Sequence, residues 1–328
     1  MSLARLEREA RFALPDPAAL AAVAVRLQEL GVQLGRARSS TYEDVYLDTR
    51  DVRLWRAGVG LRVRRESRRI MATLKTGRVH SNVADRWEWS ESLGRWREST
   101  TPAPVPGRAL RRKLREASLP VRVRPIAKLS VRRTVWSARW PEGWTAKVCA
   151  DHVQAQVGRR RVEFAELEIE GAWDDNRLLQ AIRAIRACSS WSPVRASKLE
   201  RALALAGRPL PMPPPKCPEN LPADLTPAEA AQRFFSTYWA LYTWNLPGAM
   251  AGFDPEFLHD LRVAIRRLRA TASALEAALP PSATRWVREL RPTARIAGTV
   301  RDLDIVRAWM IEPDVRALAV PSSARRWL

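Results

Sequence analysis

Glu166, Glu168 and Glu170 stand at alternate positions of the segment FAELEIE, with Ala165, Leu167 and Ile169 between them. A period of two puts the three carboxylates on one face of a strand and the apolar residues on the other. Like charges in register repel. Guanidinium groups or a divalent cation must therefore compensate them, and a metal bridging carboxylates to an anion is the chemistry such a set would serve. Glu7, Glu9 and Arg11 share a face in the same way near the N-terminus, and in GLRVR the pair Arg62 and Arg64 opposes Leu61 and Val63. Charge is sorted by strand, whereas a solvated face normally mixes signs.

Many short elements must position these residues. Period-two segments recur as LEREARF, EDVYLD, VGLRVRR, RIMATLK, DRWEWSE, VRVRPIAKLSVRRTV, WTAKVCADHV and FAELEIE. Asp16-Pro17 supplies an N-cap and a first-turn proline for a helix that stops at Gly31, and further helices are expected over Arg108–Ser118, Asp174–Ala187 and Ser197–Ala206. So many strands point to an antiparallel sheet or closed barrel. Two geometries fit the alternation. Either the apolar faces form a core with the charges in water, or they pack outward against helices and the charges line a polar lumen.

The 328 residues carry 56 Lys+Arg against 35 Asp+Glu, a net charge of +21, and 46% hydrophobic residues supply ample core. Only Lys75, Lys113, Lys128, Lys147, Lys198 and Lys216 are lysines; every other basic residue is arginine, which suits bidentate phosphate contacts and also follows from a GC-rich genome. Lys75, Lys128 and Lys198 fall at the ends or polar positions of the expected elements, where a point charge on a flexible stem is useful. The balance favours a polyanionic partner. Cys149, Cys188 and Cys217 are far apart and the three histidines do not join them, which argues against disulfides and zinc and for a reducing, cytoplasmic location. No apolar run approaches a membrane span, the start MSLARLEREARF is not a signal peptide, and no GxxxxGK loop is present.

The segment GRPLPMPPPKCPENLPAD divides the chain into a first domain, 1–208, a linker, 209–224, and a second domain, 225–328. The charge divides unevenly, about +18 before Pro209 and about +3 from it onward. In the second domain, Thr226-Pro227 with Glu229 opens a helix expected through Trp244. Asp254-Pro255 opens another, with Leu258, Leu261, Ile265, Leu268, Ala272, Leu275 and Leu279 as its apolar stripe. Beside that stripe His259, Arg262, Arg266 and Arg269 make one basic ridge, and no i,i+4 acidic partners interleave with it.

The ordered set of motifs in residues 1–206 resembles the CYTH domains, the triphosphate tunnel metalloenzymes. Glu7-x-Glu9-x-Arg11 is similar to their opening ExExK signature, with Arg where the family usually has Lys. There follow Tyr46-Leu47-Asp48-Thr49, Leu61-Arg62-Val63-Arg64, Thr73-Leu74-Lys75, Arg86-x-Glu88, Lys128 with Arg132, Asp151, the three-glutamate strand, and Ser197-Lys198-x-x-Arg201. The resemblance implies an α+β chain with an eight-stranded antiparallel barrel whose polar lumen binds a linear triphosphate, which selects the second geometry. It implies that Glu7, Glu9, Asp151, Glu166, Glu168 and Glu170 hold Mg²⁺ or Mn²⁺, with Glu7, Glu9 and Glu168 catalytic. It assigns the phosphates to Arg11, Arg62, Arg64, Lys75, Arg86, Lys128, Arg132 and Lys198.

The segment HDLRVAIRRLR, with Arg301-Asp302-Leu303-Asp304, resembles the CHAD domain, a helical module linked to polyphosphate binding. Members of that family continue with more helices, so the resemblance implies a C-terminally incomplete domain with exposed apolar surface, whose ridge His259, Arg262, Arg266 and Arg269 binds polyphosphate. The expected activity is hydrolysis of inorganic triphosphate to phosphate and pyrophosphate. The alternatives are the same tunnel acting on thiamine triphosphate or a nucleoside triphosphate, adenylate cyclisation included, and a polyphosphate-binding protein without turnover. Sequence-specific nucleic-acid binding is disfavoured, since no basic recognition helix stands out.

Overall fold

The structure, a computed structural model, describes residues 5–76, 79–80, 83–171, 175–188, 191–219 and 221–311; the side chains of 5–8, 79–80, 83–86 and a few helical residues lie outside that description. The chain forms two compact units, residues 1–211 and 212–328.

Eight strands build the first unit: β1 (Arg5–Ala13), β2 (Arg38–Asp48), β3 (Val59–Glu66), β4 (Arg69–Thr76), β5 (Val83–Ser92), β6 (Arg122–Arg139), β7 (Thr145–Val157) and β8 (Arg160–Glu170). Their hydrogen-bonded order is β1-β8-β7-β6-β2-β3-β4-β5, antiparallel throughout, and β5 pairs back onto β1 with Glu7 opposite Arg86 and Glu9 opposite Ala84. The sheet is therefore a closed barrel, which removes unpaired edges. Two-residue strands at 33–34, 79–80, 103–104 and 192–193 add to it at β6, β5, β6 and β1.

The apolar face of the alternating strands points outward. Ala10, Phe12, Val148, Ala150, Leu167 and Ile169 pack against α1 (Val23–Glu29) and α4 (Asp175–Cys188) through Val23, Leu27, Ile182 and Ile185. Fully burying each large side chain stabilises by about 1.5–3 kcal/mol. The expected helix after Asp16 begins as a 3₁₀ stretch, Pro17–Ala22, capped by Asp16 accepting from the Ala19 N–H. Two further helices, α2 (Arg53–Arg56) and α3 (Arg108–Glu116), flank the strands.

One end of the lumen is apolar. Leu129, Val131, Val153, Ala155 and Phe164 close over α5 (Lys198–Leu205), which buries Leu199, Ala202 and Leu203 among them. A full capping box fixes the start of α5, Ser197 accepting from the Glu200 N–H while Glu200 accepts from the Ser197 N–H at 2.6 Å.

Among the described residues the second unit has helices and no strand: α6 (Pro227–Ala251), α7 (Pro255–Ala274), α8 (Pro281–Glu289) and α9 (Arg291–Ile311). Tyr238, Leu241, Leu261, Ala264, Ile265, Leu268 and Leu290 form its core. Helix α6 runs past the expected end at Trp244, through Pro247, to a left-handed cap at Gly252. Within this extension Gly248 packs against α7: a Cβ there would lie 2.3 Å from the Phe257 ring, so only a glycine lets the two helices approach so closely. The expected exposed apolar surface lies on α9, at Leu303 and Trp309 among others. No helix of the described residues is long and apolar enough to cross a membrane.

Candidate active site in the barrel lumen

In a closed ring of eight strands, strands four places apart face each other. The acidic strand β8 therefore faces the arginine strand β3, and β7, which carries Asp151, faces β4, which carries Lys75. The lumen carries opposite charge on opposite walls.

On the acidic wall the carboxylates fall into two overlapping groups that could hold a metal ion: Asp151, Glu166 and Glu168 nearer the α5 end, and Glu9, Glu168 and Glu170 farther from it. Within each group the ligand oxygens lie within 4.8 Å of one another. Such an all-oxygen carboxylate set suits hard cations such as Mg²⁺ or Mn²⁺.

The inner group is already engaged by cations. Lys198 Nζ, at the first position of α5, lies 2.9 Å from Asp151 and 2.6 Å from Glu166, and also pairs with Glu168. Arg201, one turn on, lies 2.8 Å from Glu166 and stacks over Phe164. Arg133 of β6 binds Asp151 bidentately at 2.7 and 2.6 Å, pairs with Glu168, and reaches Glu170 at 3.5 Å. Burial works against the charge of Glu168, but Lys198 and Arg133 outweigh it and hold the carboxyl well below the usual range. Burial likewise opposes the Lys198 ammonium, yet Asp151, Glu166 and Glu168 raise its pKa well above that of a free lysine. Cys149, in the same lumen, is pushed up to about 12 by burial and is no nucleophile.

On the basic wall Asp44 of β2, fully buried, orients the arginines. Arg64 donates to both its oxygens at 2.8 Å and Arg62 donates at 3.2 Å. Burial of Asp44 is outweighed by these two arginines, so its pKa is lowered. Lys75 lies 3.1 Å from Glu88, whose pKa Lys75 and Arg62 depress against the effect of burial. Two buried donors in this lumen have no hydrogen-bond acceptor among the described residues, Arg62 Nε and the Tyr42 hydroxyl. Arg64 stacks on the Tyr42 ring at 3.6 Å.

The expected site residues thus divide. Glu9, Glu166, Glu168, Glu170, Asp151, Arg62, Arg64, Lys75 and Lys198 meet in the lumen. Arg11 is also buried, but its terminal nitrogens donate to the carbonyls of Ala196 at 2.8 Å and Arg195 at 3.2 Å, with Nε 3.4 Å from Glu9. The side chains of Glu7 and Arg86 lie outside the described residues. Lys128 and Arg132 are corrections, because both project from the outer face of β6. Lys128 is 40% exposed beside Glu43, in a surface groove with Trp96 and Arg97, and Arg132 bonds the His152 imidazole at 3.2 Å, which in turn contacts Glu163. Arg133, Asp44, Tyr42, Glu88 and Arg201 are among the lumen residues absent from the expected set. Asp48, in the Tyr46–Thr49 motif, accepts from the N–H groups of Leu54 and Trp55 at 2.9 and 3.0 Å, so its work is to hold the turn into α2.

In the helical unit His259, Arg266 and Arg269 are exposed on α7, while Arg262 leans towards Asp302 of α9 at 3.8 Å. Arg301 similarly lies 3.6 Å from Glu256.

The CYTH domain model matches residues 5–202 and the CHAD domain model residues 239–327. No curated protein matches the chain. Among solved structures, a candidate adenylate cyclase from Bacillus halodurans is 18% identical over 60% of this chain and 97% of its own, with a TM-score of 0.42. HpAC1 from Hippeastrum, a candidate adenylyl cyclase with a dominant triphosphatase activity, is 18% identical over 62% of this chain and 98% of its own, TM-score 0.42. The mimivirus capping enzyme triphosphatase is 12% identical over 56% and 89%, TM-score 0.32. The chain belongs to the CYTH family, and a CHAD domain follows its barrel.

Proposed function

We propose that the barrel hydrolyses inorganic triphosphate to phosphate and pyrophosphate with Mg²⁺ or Mn²⁺, and that the helical domain binds polyphosphate. The observation that carries this reading is the facing of the carboxylate strand β8 by the arginine strand β3 across one lumen. A linear polyanion fits between such walls only if cations neutralise its charge on the acidic side. Arg62, Arg64 and Lys75 would bind and orient the phosphates, and Asp44 keeps the two guanidinium groups in place before substrate arrives. The unmatched Arg62 Nε and Tyr42 hydroxyl are donors that phosphate oxygens would satisfy. Glu9, Glu168 and Glu170 would hold the divalent ion, which when bound supplies charge neutralisation at the phosphate oxygens and a water of lowered pKa. Apolar packing around α5 closes one end of the tunnel and limits water there.

Phosphate release measured with Mg²⁺ on tripolyphosphate, thiamine triphosphate and nucleoside triphosphates tests the reading. Release should be fastest from tripolyphosphate. Release from none of them, with polyphosphate binding that weakens steeply in salt, would make the chain a binding protein instead.

A further inference from the structure

Arg133 of β6 reaches both carboxylate groups of the acidic wall with one side chain. Its Nε and Nη2 donate to Asp151 at 2.7 and 2.6 Å, Nη2 also pairs with Glu168, and Nη1 lies 3.5 Å from Glu170. Asp151 and Glu168 belong to the inner group, Glu168 and Glu170 to the outer one. Every nitrogen of the guanidinium is thus turned to a carboxylate that an ion at one group or the other would use.

Such an ion and this guanidinium exclude each other. A divalent ion such as Mg²⁺ takes carboxylate lone pairs at about 2.1 Å, and the N–H groups of Arg133 point at those same carboxylates. The two cations would also lie side by side in a lumen where water screens little. Either the ion stays out or the guanidinium moves.

Arg133 has somewhere to go, and none of its three carboxylates depends on it alone. Lys198 lies 2.9 Å from Asp151 and also pairs with Glu168, and Lys147 lies 2.7 Å from Glu170. Strand β2, on the other side of β6 from β7, offers the Tyr42 ring, whose centroid is 5.7 Å from the Arg133 guanidinium. The Tyr42 hydroxyl is buried with no hydrogen-bond partner among the described residues. Arg64 already stacks on that ring at 3.6 Å, so a second guanidinium is repelled there unless an anion lies between the two. Moving Arg133 is therefore uphill without a polyanion and eased by one.

We infer, on the reading of the lumen as a metal-dependent site, that Arg133 competes with the divalent ion for the acidic wall, so that the barrel takes up the ion weakly in the absence of triphosphate. Binding of the ion displaces the guanidinium from Glu168 and its neighbours towards Tyr42.

Titrating the full chain with Mn²⁺ without triphosphate, and reading the bound ion by the loss of its free electron paramagnetic resonance signal, tests this. Arg133→Gln should bind Mn²⁺ at least about tenfold more tightly than wild type, because the competitor is gone. Lys147→Gln also removes a cation from beside Glu170, but one that is half exposed and screened by water, and should stay within about threefold of wild type. Equal or weaker binding by Arg133→Gln, or an equal gain in Lys147→Gln, would overturn the inference and leave a metal-loaded barrel standing. Arg133→Lys keeps the test decisive if Arg133→Gln does not fold. Its ammonium cannot reach all three carboxylates, so Mn²⁺ should raise its thermal midpoint more than that of wild type. An equal or smaller rise would overturn the inference. No ion bound by wild type or by any folded variant would overturn both the inference and the metal-dependent function.

Discussion

Arg11 on the first strand donates through one terminal nitrogen to the Ala196 carbonyl at 2.8 Å, a contact between residues 185 positions apart. Together with the bond to Arg195, it ties the opening strand to the turn that aims Lys198 into the lumen. Burial opposes its charge, but Glu9, Glu166 and Glu168 outweigh burial and keep the guanidinium protonated.

Arg11→Met should therefore cost roughly 3–5 kcal/mol of stability, since it removes a buried cation from beside Glu9 and leaves the carbonyls of Arg195 and Ala196 without its bonds. Arg11→Lys keeps the charge but cannot span both carbonyls, and should fall between. Urea unfolding of the three proteins checks the order; equal midpoints for Arg11→Met and wild type would contradict it.

Asp44 gives a prediction for acid. Its pKa is depressed in the folded barrel, so the stability it contributes is fully present above the usual carboxylate range and is lost as pH falls through the depressed value. Asp44→Asn should be less stable than wild type by about 3 kcal/mol at pH 7, and the gap should close as both are acidified towards pH 2. A gap unchanged at low pH would show that Asp44 is not the charged partner of Arg62 and Arg64.

The outward placement of Lys128 and Arg132 separates two sets of basic residues. Arg62→Ala should lower kcat/KM on triphosphate roughly ten- to a hundredfold, the worth of a charge-assisted hydrogen bond. Lys128→Ala and Arg132→Ala should leave it within about twofold, as expected for exposed surface charges. Steady-state kinetics on the three variants decides, and a loss in Lys128→Ala as deep as in Arg62→Ala would place Lys128 back in the lumen.

These two residues also mark where the sequence stops being legible. The period of two in FAELEIE correctly grouped Glu166, Glu168 and Glu170, because β8 keeps one polar and one apolar face over that stretch. On β6 the rule of apolar outside and charge inside inverts: Leu129 and Val131 point into the lumen, where α5 covers them. Arg133 shares their face and Arg132 does not, a choice the adjacent pair Arg132-Arg133 leaves open. Asp44 next to Glu43 was hidden in the same way. The start of α5 was readable from Ser197 and Glu200, but that Lys198 meets three carboxylates depends on barrel closure, to which local pattern is blind.

Polyphosphate binding should reside in the helical unit. Replacing Arg266 and Arg269, both exposed, with alanine should weaken polyphosphate binding several-fold at low salt and less at high salt, since exposed charges are screened. Triphosphate hydrolysis by the same variant should be unchanged. Affinity measured at two ionic strengths beside a phosphate-release assay checks both halves.

Glu168 is the carboxylate common to both acidic groups, so it tests the account most directly. Tripolyphosphate hydrolysis with Mg²⁺ should fall on the order of a hundredfold or more in Glu168→Ala relative to wild type. Full activity in that variant would contradict the assignment of the acidic wall as the metal-holding side of the tunnel.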